Sequence, residues 1–267
     1  MLPLKELLSN YFLSHQAIPA FNIDSFEIYQ AVEAAVTETH LPAIVQLSAN
    51  EDKFISAEKL YLLVKKANLE SLPIYLNMDH SHEPDRLIRV SRLGFDMVHF
   101  DGSSLPLDEN LTKSSQLIKT VHPQTLVEVE FNEIGSVEFT NPETAESFLI
   151  QTKADLLAVS IGNRHGNSPN FPENIDLKVL SQIGQLLPTT FFTLHGGSGI
   201  PEAQIKEAIK LGVVKININT DLRQTLLASL RRELTNQQSE KVYDYFIPAI
   251  GDLQKIITDK LIFFSTP

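Results

Sequence analysis

Phe191-Phe192-Thr193-Leu194-His195-Gly196-Gly197-Ser198-Gly199-Ile200-Pro201-Glu202 is the stretch from which the fold can be read. Its apolar start, residues 191–194, reads as a short buried strand. The glycines follow as a tight turn, and Pro201 suits the first turn of a helix. Strand, glycine turn and helix start together make an anion-binding device. The glycines let backbone N–H groups approach a phosphate, and the helix N-terminus adds positive potential. His195 is more than such a loop needs. An imidazole there is placed to bind a metal or to move a proton beside a phosphorylated substrate. Taken alone, the stretch fits a plain tight turn with a hydrogen-bonded histidine equally well.

Working outward, the same unit recurs eight times. Short apolar runs lie at 17–23, 42–48, 73–78, 96–100, 125–130, 155–161, 190–194 and 213–218. Helical patterns follow at about 25–39, 56–68, 84–93, 108–120, 142–151, 176–187, 201–211 and 220–234. A last amphipathic segment, 243–264, closes the chain. Nearly continuous apolar runs alternating with helices indicate a parallel sheet covered by helices. Eight units in 267 residues predict a (β/α)8 barrel, the TIM-barrel architecture, with a C-terminal helical extension and one domain over 1–267. An open, doubly wound sheet is the alternative, because counting strands does not show closure.

Composition narrows the function. Hydrophobic residues make up 43% and the 14 prolines are scattered, as in an ordinary globular protein. The formal charge of −11 argues against a nucleic-acid partner, which favours a basic surface. With no cysteine, any metal must use His, Asp or Glu. The start, Met1-Leu2-Pro3-Leu4-Lys5-Glu6, lacks a signal-peptide pattern, and no run has the length of a membrane span. A cytoplasmic protein without a membrane partner is the expectation.

A barrel places its chemistry at the C-terminal ends of its strands. Asn22, Ser48, Asp79 with His80, Asp101, Glu130, His165, His195 and Asn217 all fall there, one strand after another. His80, His165 and His195 lie on three units at one rim, and three imidazoles with a free fourth position make a catalytic zinc site. His15, His40, His82, His99 and His122 read as structural. His82 and His99 lie near the rim, and His99 points opposite to Phe100 if its strand alternates. Asp79 is placed either to orient a ligand or to transfer a proton. Asp101 and Glu130 can hold a second ion, divalent or monovalent, hydrogen-bond the ligands, or form a rim salt bridge. Lys215-Ile216-Asn217-Ile218-Asn219-Thr220-Asp221 is a second phosphate device, at the end of the eighth strand. Asn219 and Thr220 also suit plain helix caps.

These motifs, in this order, resemble the class II, zinc-dependent ketose-bisphosphate aldolases of the fructose- and tagatose-bisphosphate group. The resemblance runs from about Ile18 to Phe264. It rests on Ala20-Phe21-Asn22, Asp79-His80, Phe100-Asp101-Gly102-Ser103, Glu128-Val129-Glu130, Ile161-Gly162 with His165-Gly166, the loop 194–201, and Asn217 to Asp221. It implies a glycolytic type of lyase that releases dihydroxyacetone phosphate and an aldehyde from a phosphorylated ketose, with one zinc ion per chain. It implies His80, His165 and His195 as ligands, and Asp79 as the group that handles the hydroxyl proton. Gly166, Gly196, Gly197, Ser198, Asn217, Ile218, Asn219 and Thr220 become the phosphate cradle, with Asn217 also contacting the developing enediolate. Asp101 and Glu130 become alternate or supporting metal positions. Glu138, on a loop, becomes the carrier of the carbon-bound proton, and a homodimer or homotetramer the expected assembly.

The chain departs from that pattern in three places. Ser81-His82 stands where a glycine is usual after the histidine. Asn163-Arg164 replaces small residues and makes Arg164 either a candidate anion contact or an exposed loop charge. The Glu138 loop lacks its usual glycines and is short. A different ketose phosphate, or a low-turnover zinc- and phosphosugar-binding role, are the alternatives these departures raise.

Overall fold

Residues 1–164, 166 and 174–267 are described by the computed structural model. Among them are eight strands: β1 (Ile18–Asn22), β2 (Ala43–Leu47), β3 (Ile74–Ser81), β4 (Met97–Asp101), β5 (Leu126–Glu130), β6 (Leu156–Ala158), β7 (Phe191–Leu194) and β8 (Val213–Ile218). Each pairs in parallel with the next, and β8 pairs in parallel with β1, so the barrel is closed. Closure excludes the open sheet. The helices α2 (Phe26–Thr39), α4 (Ala57–Leu69), α5 (Pro84–Leu93), α6 (Leu107–Thr120), α7 (Pro142–Thr152), α8 (Leu177–Leu186), α9 (Glu202–Lys210) and α10 (Thr220–Asn236) alternate with the strands. Their buried faces and the outward strand residues, among them Phe21, Val45, Met78, Val98 and Val127, form the main apolar core.

The inward residues divide by height. At the strand starts Ile18, Ala20, Ile44, Tyr75, Met97, Leu126 and Leu156 form a second apolar cluster with Leu4 and Leu8. The two leucines belong to α1 (Leu4–Leu13), which seals that end of the barrel and was not anticipated. Toward the strand ends the inward positions become polar and remain buried: Gln46, Asn77, Asp79, His99, Glu128, Thr193, Lys215 and Asn217. This apolar plug beneath a polar layer directs the chemistry to one end.

Three further elements complete the chain. A short helix, α3 (Ala49–Ile55), precedes α4, with Ser48 and Glu51 forming a capping box at its start. The capping box is legible in Ser48-Ala49-Asn50-Glu51. The expected final segment is α11 (Tyr243–Ser265), packed against α2 and α10. Helix α9 begins at Glu202 with Pro201 as its cap, one residue later than the proline alone suggests.

Candidate active site

Gly196 and Gly197 explain why the loop after β7 is built from glycine. Gly196 has φ +63°, and a Cβ there would lie 1.9 Å from the carbonyl oxygen of Arg164. A Cβ at Gly197 would lie 2.5 Å from Cγ2 of Ile216. The loop therefore packs directly on the β6 and β8 ends. The Gly197 N–H donates to the Asn217 carbonyl at 3.0 Å, and the Asp221 N–H donates to Ser198 Oγ at 3.3 Å. The two phosphate devices read in the sequence thus form one wall, facing the start of α10.

That wall borders a cavity of about 430 Å3 at the C-terminal mouth of the barrel. Asn22, Ser48, Asp79, His80, Gly166, Gly196, Ser198, Asn217, Asn219 and Thr220 all line it, as their positions in the sequence suggested. Asn50 and Arg223 line it too and were not anticipated. Arg223 is one helical turn after the Asn219-Thr220 pair, a spacing that marks it in retrospect. Gly197 and Ile218 lie behind the surface. Arg164 is exposed and touches the site through its backbone. Asp101 and Glu130 border an adjoining cavity of about 470 Å3, which meets the first at His80 and also takes in His82 and Glu133. Glu138 is exposed on the loop after β5 and is not among the cavity residues. His165 lies outside the described residues.

Within the barrel a charged network supports the two described imidazoles. Nε2 of His80 and Nδ1 of His195 face each other at 2.7 Å. The other nitrogen of His195 lies 2.7 Å from Oε1 of Glu128. Glu128 also accepts from Thr193 Oγ1 at 2.9 Å and from Lys215 Nζ at 3.0 Å. Asn163 donates to the His195 carbonyl at 3.0 Å and so pins the backbone at His195. His80 itself has φ +44°, at a break in the β3–β4 register between Met78 and Ser81. Nδ1 of His99 lies 3.1 Å from the His80 backbone nitrogen and accepts its N–H. His99 is thus no ordinary structural histidine. Its ring packs against both His80 and His195, with centroids 4.8 and 5.0 Å away. Alternation along β4, His99 and Asp101 inward and Phe100 outward, was the signal for it.

Asp79 is 2% exposed. Its carboxylate accepts from Gln46 at 3.1 Å and from Asn217 at 3.3 Å. Burial pushes its pKa up, but the neighbouring His80 and the charge of Lys215 outweigh this and hold it well below the usual range. Burial, with the neighbouring His80, depresses His195 to about 3, against the pull of Glu128. A pKa there leaves the imidazole of His195 neutral at pH 7, the form able to offer a lone pair.

The donor set fits a metal ion. Asp79, His80, His99 and His195 offer ligand atoms within 4.8 Å of one another, and His80, Asp101 and Glu130 form a second such group. His99 Nε2 and Glu130 Oε2 are buried 3.4 Å apart, and neither has a hydrogen-bond partner among the described residues. Converging imidazoles flanked by carboxylates are the donors expected of a zinc or similar transition-metal centre.

Comparison with known proteins agrees with this geometry. Residues 3–266 match the family model described as fructose-bisphosphate aldolase class-II. A fructose-bisphosphate aldolase of Streptococcus pyogenes serotype M3 is 34% identical over 254 residues, 90% of this chain and 86% of the relative. One of Treponema pallidum is 30% identical over 311 residues, 96% of this chain and 93% of the relative. The crystal structure of the YdjI aldolase from Escherichia coli K12 superposes with TM-score 0.88 at 24% identity, over 98% of this chain and 97% of that one. A closed barrel, an imidazole–carboxylate cluster at its mouth and these likenesses lead to one conclusion: the chain belongs to the class-II fructose-bisphosphate aldolases, metal-dependent lyases that split a phosphorylated ketose into dihydroxyacetone phosphate and an aldehyde.

Proposed function

We propose that this chain performs that cleavage with zinc held by His80, His195 and His165, and with Asp79 as its proton-transfer group. The observation that carries the reading is the convergence of His80 and His195 beside the buried carboxyl group of Asp79 at the edge of the cavity. When bound, the metal supplies the Lewis acidity that stabilises the negative charge left as the carbon–carbon bond breaks. Asp79 takes the hydroxyl proton of the cleaved carbon. Gln46 and Asn217 aim its carboxylate by hydrogen bonds. Gly166, Gly196, Gly197, Ser198 and the stretch 217–220 hold the phosphate of the dihydroxyacetone half and so orient the bond to be broken. Asp101 and Glu130 flank His80 and serve as supporting or second-ion positions.

Glu138 is assigned the exchange of the carbon-bound proton. Its loop has to bring it to the cavity for that role. Glu138→Gln should slow exchange into dihydroxyacetone phosphate while leaving metal content intact, and an unchanged rate removes Glu138 from the mechanism. In this reading the protein works in the cytoplasm as a homodimer or homotetramer. Exposed Ile247 and Ile262 on α11 offer apolar surface for a subunit contact, which light scattering tests.

The deciding experiment is a coupled assay for dihydroxyacetone phosphate release. Its substrates are fructose 1,6-bisphosphate, tagatose 1,6-bisphosphate and ketose monophosphates, with zinc and then with chelator. Chelator-sensitive release is expected. Release from none, by zinc-loaded protein, rejects the reading. Asp79→Asn should lower kcat by roughly 10²–10⁴, the usual worth of a positioned acid or base, with zinc stoichiometry retained.

A further inference from the structure

The cavity has two unlike ends. One is the wall of Gly166, Gly196, Ser198 and Thr220, with the N-terminus of α10 behind it, which suits an anion without any side-chain cation. The other is formed by Asn22, Ser48 and Asn50, from the ends of β1 and β2, together with Arg223. Among the described residues, Arg223 is the one lysine or arginine that lines the cavity. A sugar phosphorylated at both ends needs a second anion site there.

Arg223 is already engaged. Its Nε donates to Asp24 Oδ2, and its Nη2 to Asp24 Oδ1 at 3.0 Å and to Glu51 Oε1 at 2.9 Å. Two carboxylates therefore share one guanidinium. Glu51 is 6% exposed and tied on both oxygens. Oε2 accepts from Asn22 Nδ2 at 2.9 Å and from the Ser48 N–H at 2.7 Å. Oε1 accepts from Asn219 Nδ2 at 3.2 Å as well as from Arg223. Glu51 cannot turn away from the arginine without stranding the other donors.

The charge at this end follows by counting. With Asp24 and Glu51 ionised, the three side chains sum to −1. Burial and the neighbouring Asp24 push Glu51 up to about 7, so near neutral pH part of the population keeps its proton, and the sum is then zero. In neither state is it positive. A phosphate dianion gains no attraction there, and with both acids ionised it is repelled. The remaining surface, the amides of Asn22 and Asn50 and the hydroxyl of Ser48, is neutral and offers both donors and acceptors.

We propose that this end of the cavity selects an uncharged, hydroxyl-bearing aldehyde half, so that the substrate is a ketose phosphorylated only on its dihydroxyacetone side. The inference rests on the aldolase reading above, and Asp24 and Glu51 are its specificity-determining residues.

The reaction run in the condensation direction tests it. Full-length, zinc-loaded protein is given dihydroxyacetone phosphate with either D-glyceraldehyde or D-glyceraldehyde 3-phosphate. The expected result is a kcat/KM at least about tenfold higher for the unphosphorylated aldehyde, the effect of one unit charge at a partly exposed site. Glu51→Gln should shift that ratio about tenfold toward the phosphorylated aldehyde. Asp24→Asn, at the more exposed partner, should shift it in the same direction and serves if the buried variant does not fold. Equal or better efficiency of wild type with the phosphorylated aldehyde overturns the inference and leaves the aldolase reading standing. Absence of product from both aldehydes overturns the aldolase reading and this inference with it.

Discussion

His195 shows how one side chain is oriented for the ligand role proposed for it. With Glu128 2.7 Å from its Nε2, the proton stays on that nitrogen and the lone pair of Nδ1 is directed at His80. Glu128→Gln is therefore expected to weaken metal binding by about 10–100-fold, read by competition with a chromogenic chelator. His99 plays a related part for His80. Burial opposes its imidazolium, while Glu128, Asp79 and Glu130 favour it. The His80 N–H aimed at Nδ1 requires a lone pair there, and that directional contact decides for the neutral ring. Glu51 gives a prediction in pH. An acid whose pKa is raised by folding favours the folded state below its ordinary 4.5 and loses that advantage as pH rises through about 7. Stability should fall over this window, by on the order of 2 kcal/mol, and Glu51→Gln should flatten the fall. Urea midpoints at pH 5 and pH 8 measure both.

The regular elements show what a chain can disclose before it folds. Each β-strand and its following helix announced itself through apolar runs and caps, because hydrophobic periodicity is written locally. The rim residues announced themselves too, since the barrel puts every strand end at the same mouth. Glu128, Lys215 and His99 stayed hidden as partners. Each is a polar residue one pleat below a named one: Glu128 below Glu130, Lys215 below Asn217, His99 below Asp101. The pattern of two polar inward positions per strand was legible, but which of them touch depends on register across the closed sheet. The clamp on Arg223 was illegible for the same reason, since Asp24, Glu51 and Arg223 meet only when β8 joins β1. Helix α1 escaped because ten residues of modest amphipathicity gain their meaning from the open end they cover. Helix α11 behaves differently. Its Ile257 is fully buried where α11 packs on α2 and α10. Ile257→Ala should cost about 2–5 kcal/mol in chemical unfolding, with the active-site geometry unaltered.

Across the whole molecule, the metal is expected to contribute to stability as well as to chemistry. A ligand present at a hundred times its dissociation constant stabilises the native state by about 2.7 kcal/mol. Stripping the metal should therefore lower Tm by about 5 °C or more, reversed by readdition. No change in Tm, with the metal shown to be removed, would place the ion outside the folded core.

The seam between β8 and β1 carries a temporal consequence. The barrel closes only by pairing Ile18 with Lys215 and Phe21 with Ile218. The N–H of Ala17 then donates to the Phe264 carbonyl, at the end of the helix that covers this seam. On the ribosome β1 emerges before the other seven strands and waits for β8 before its edge is satisfied. Until then an apolar strand edge stays unpaired, and edge-to-edge pairing between nascent chains competes with completion. Strand β8 thus acts as a clock on biogenesis: slowing synthesis between β1 and β8 should increase aggregation without changing the stability of the finished enzyme.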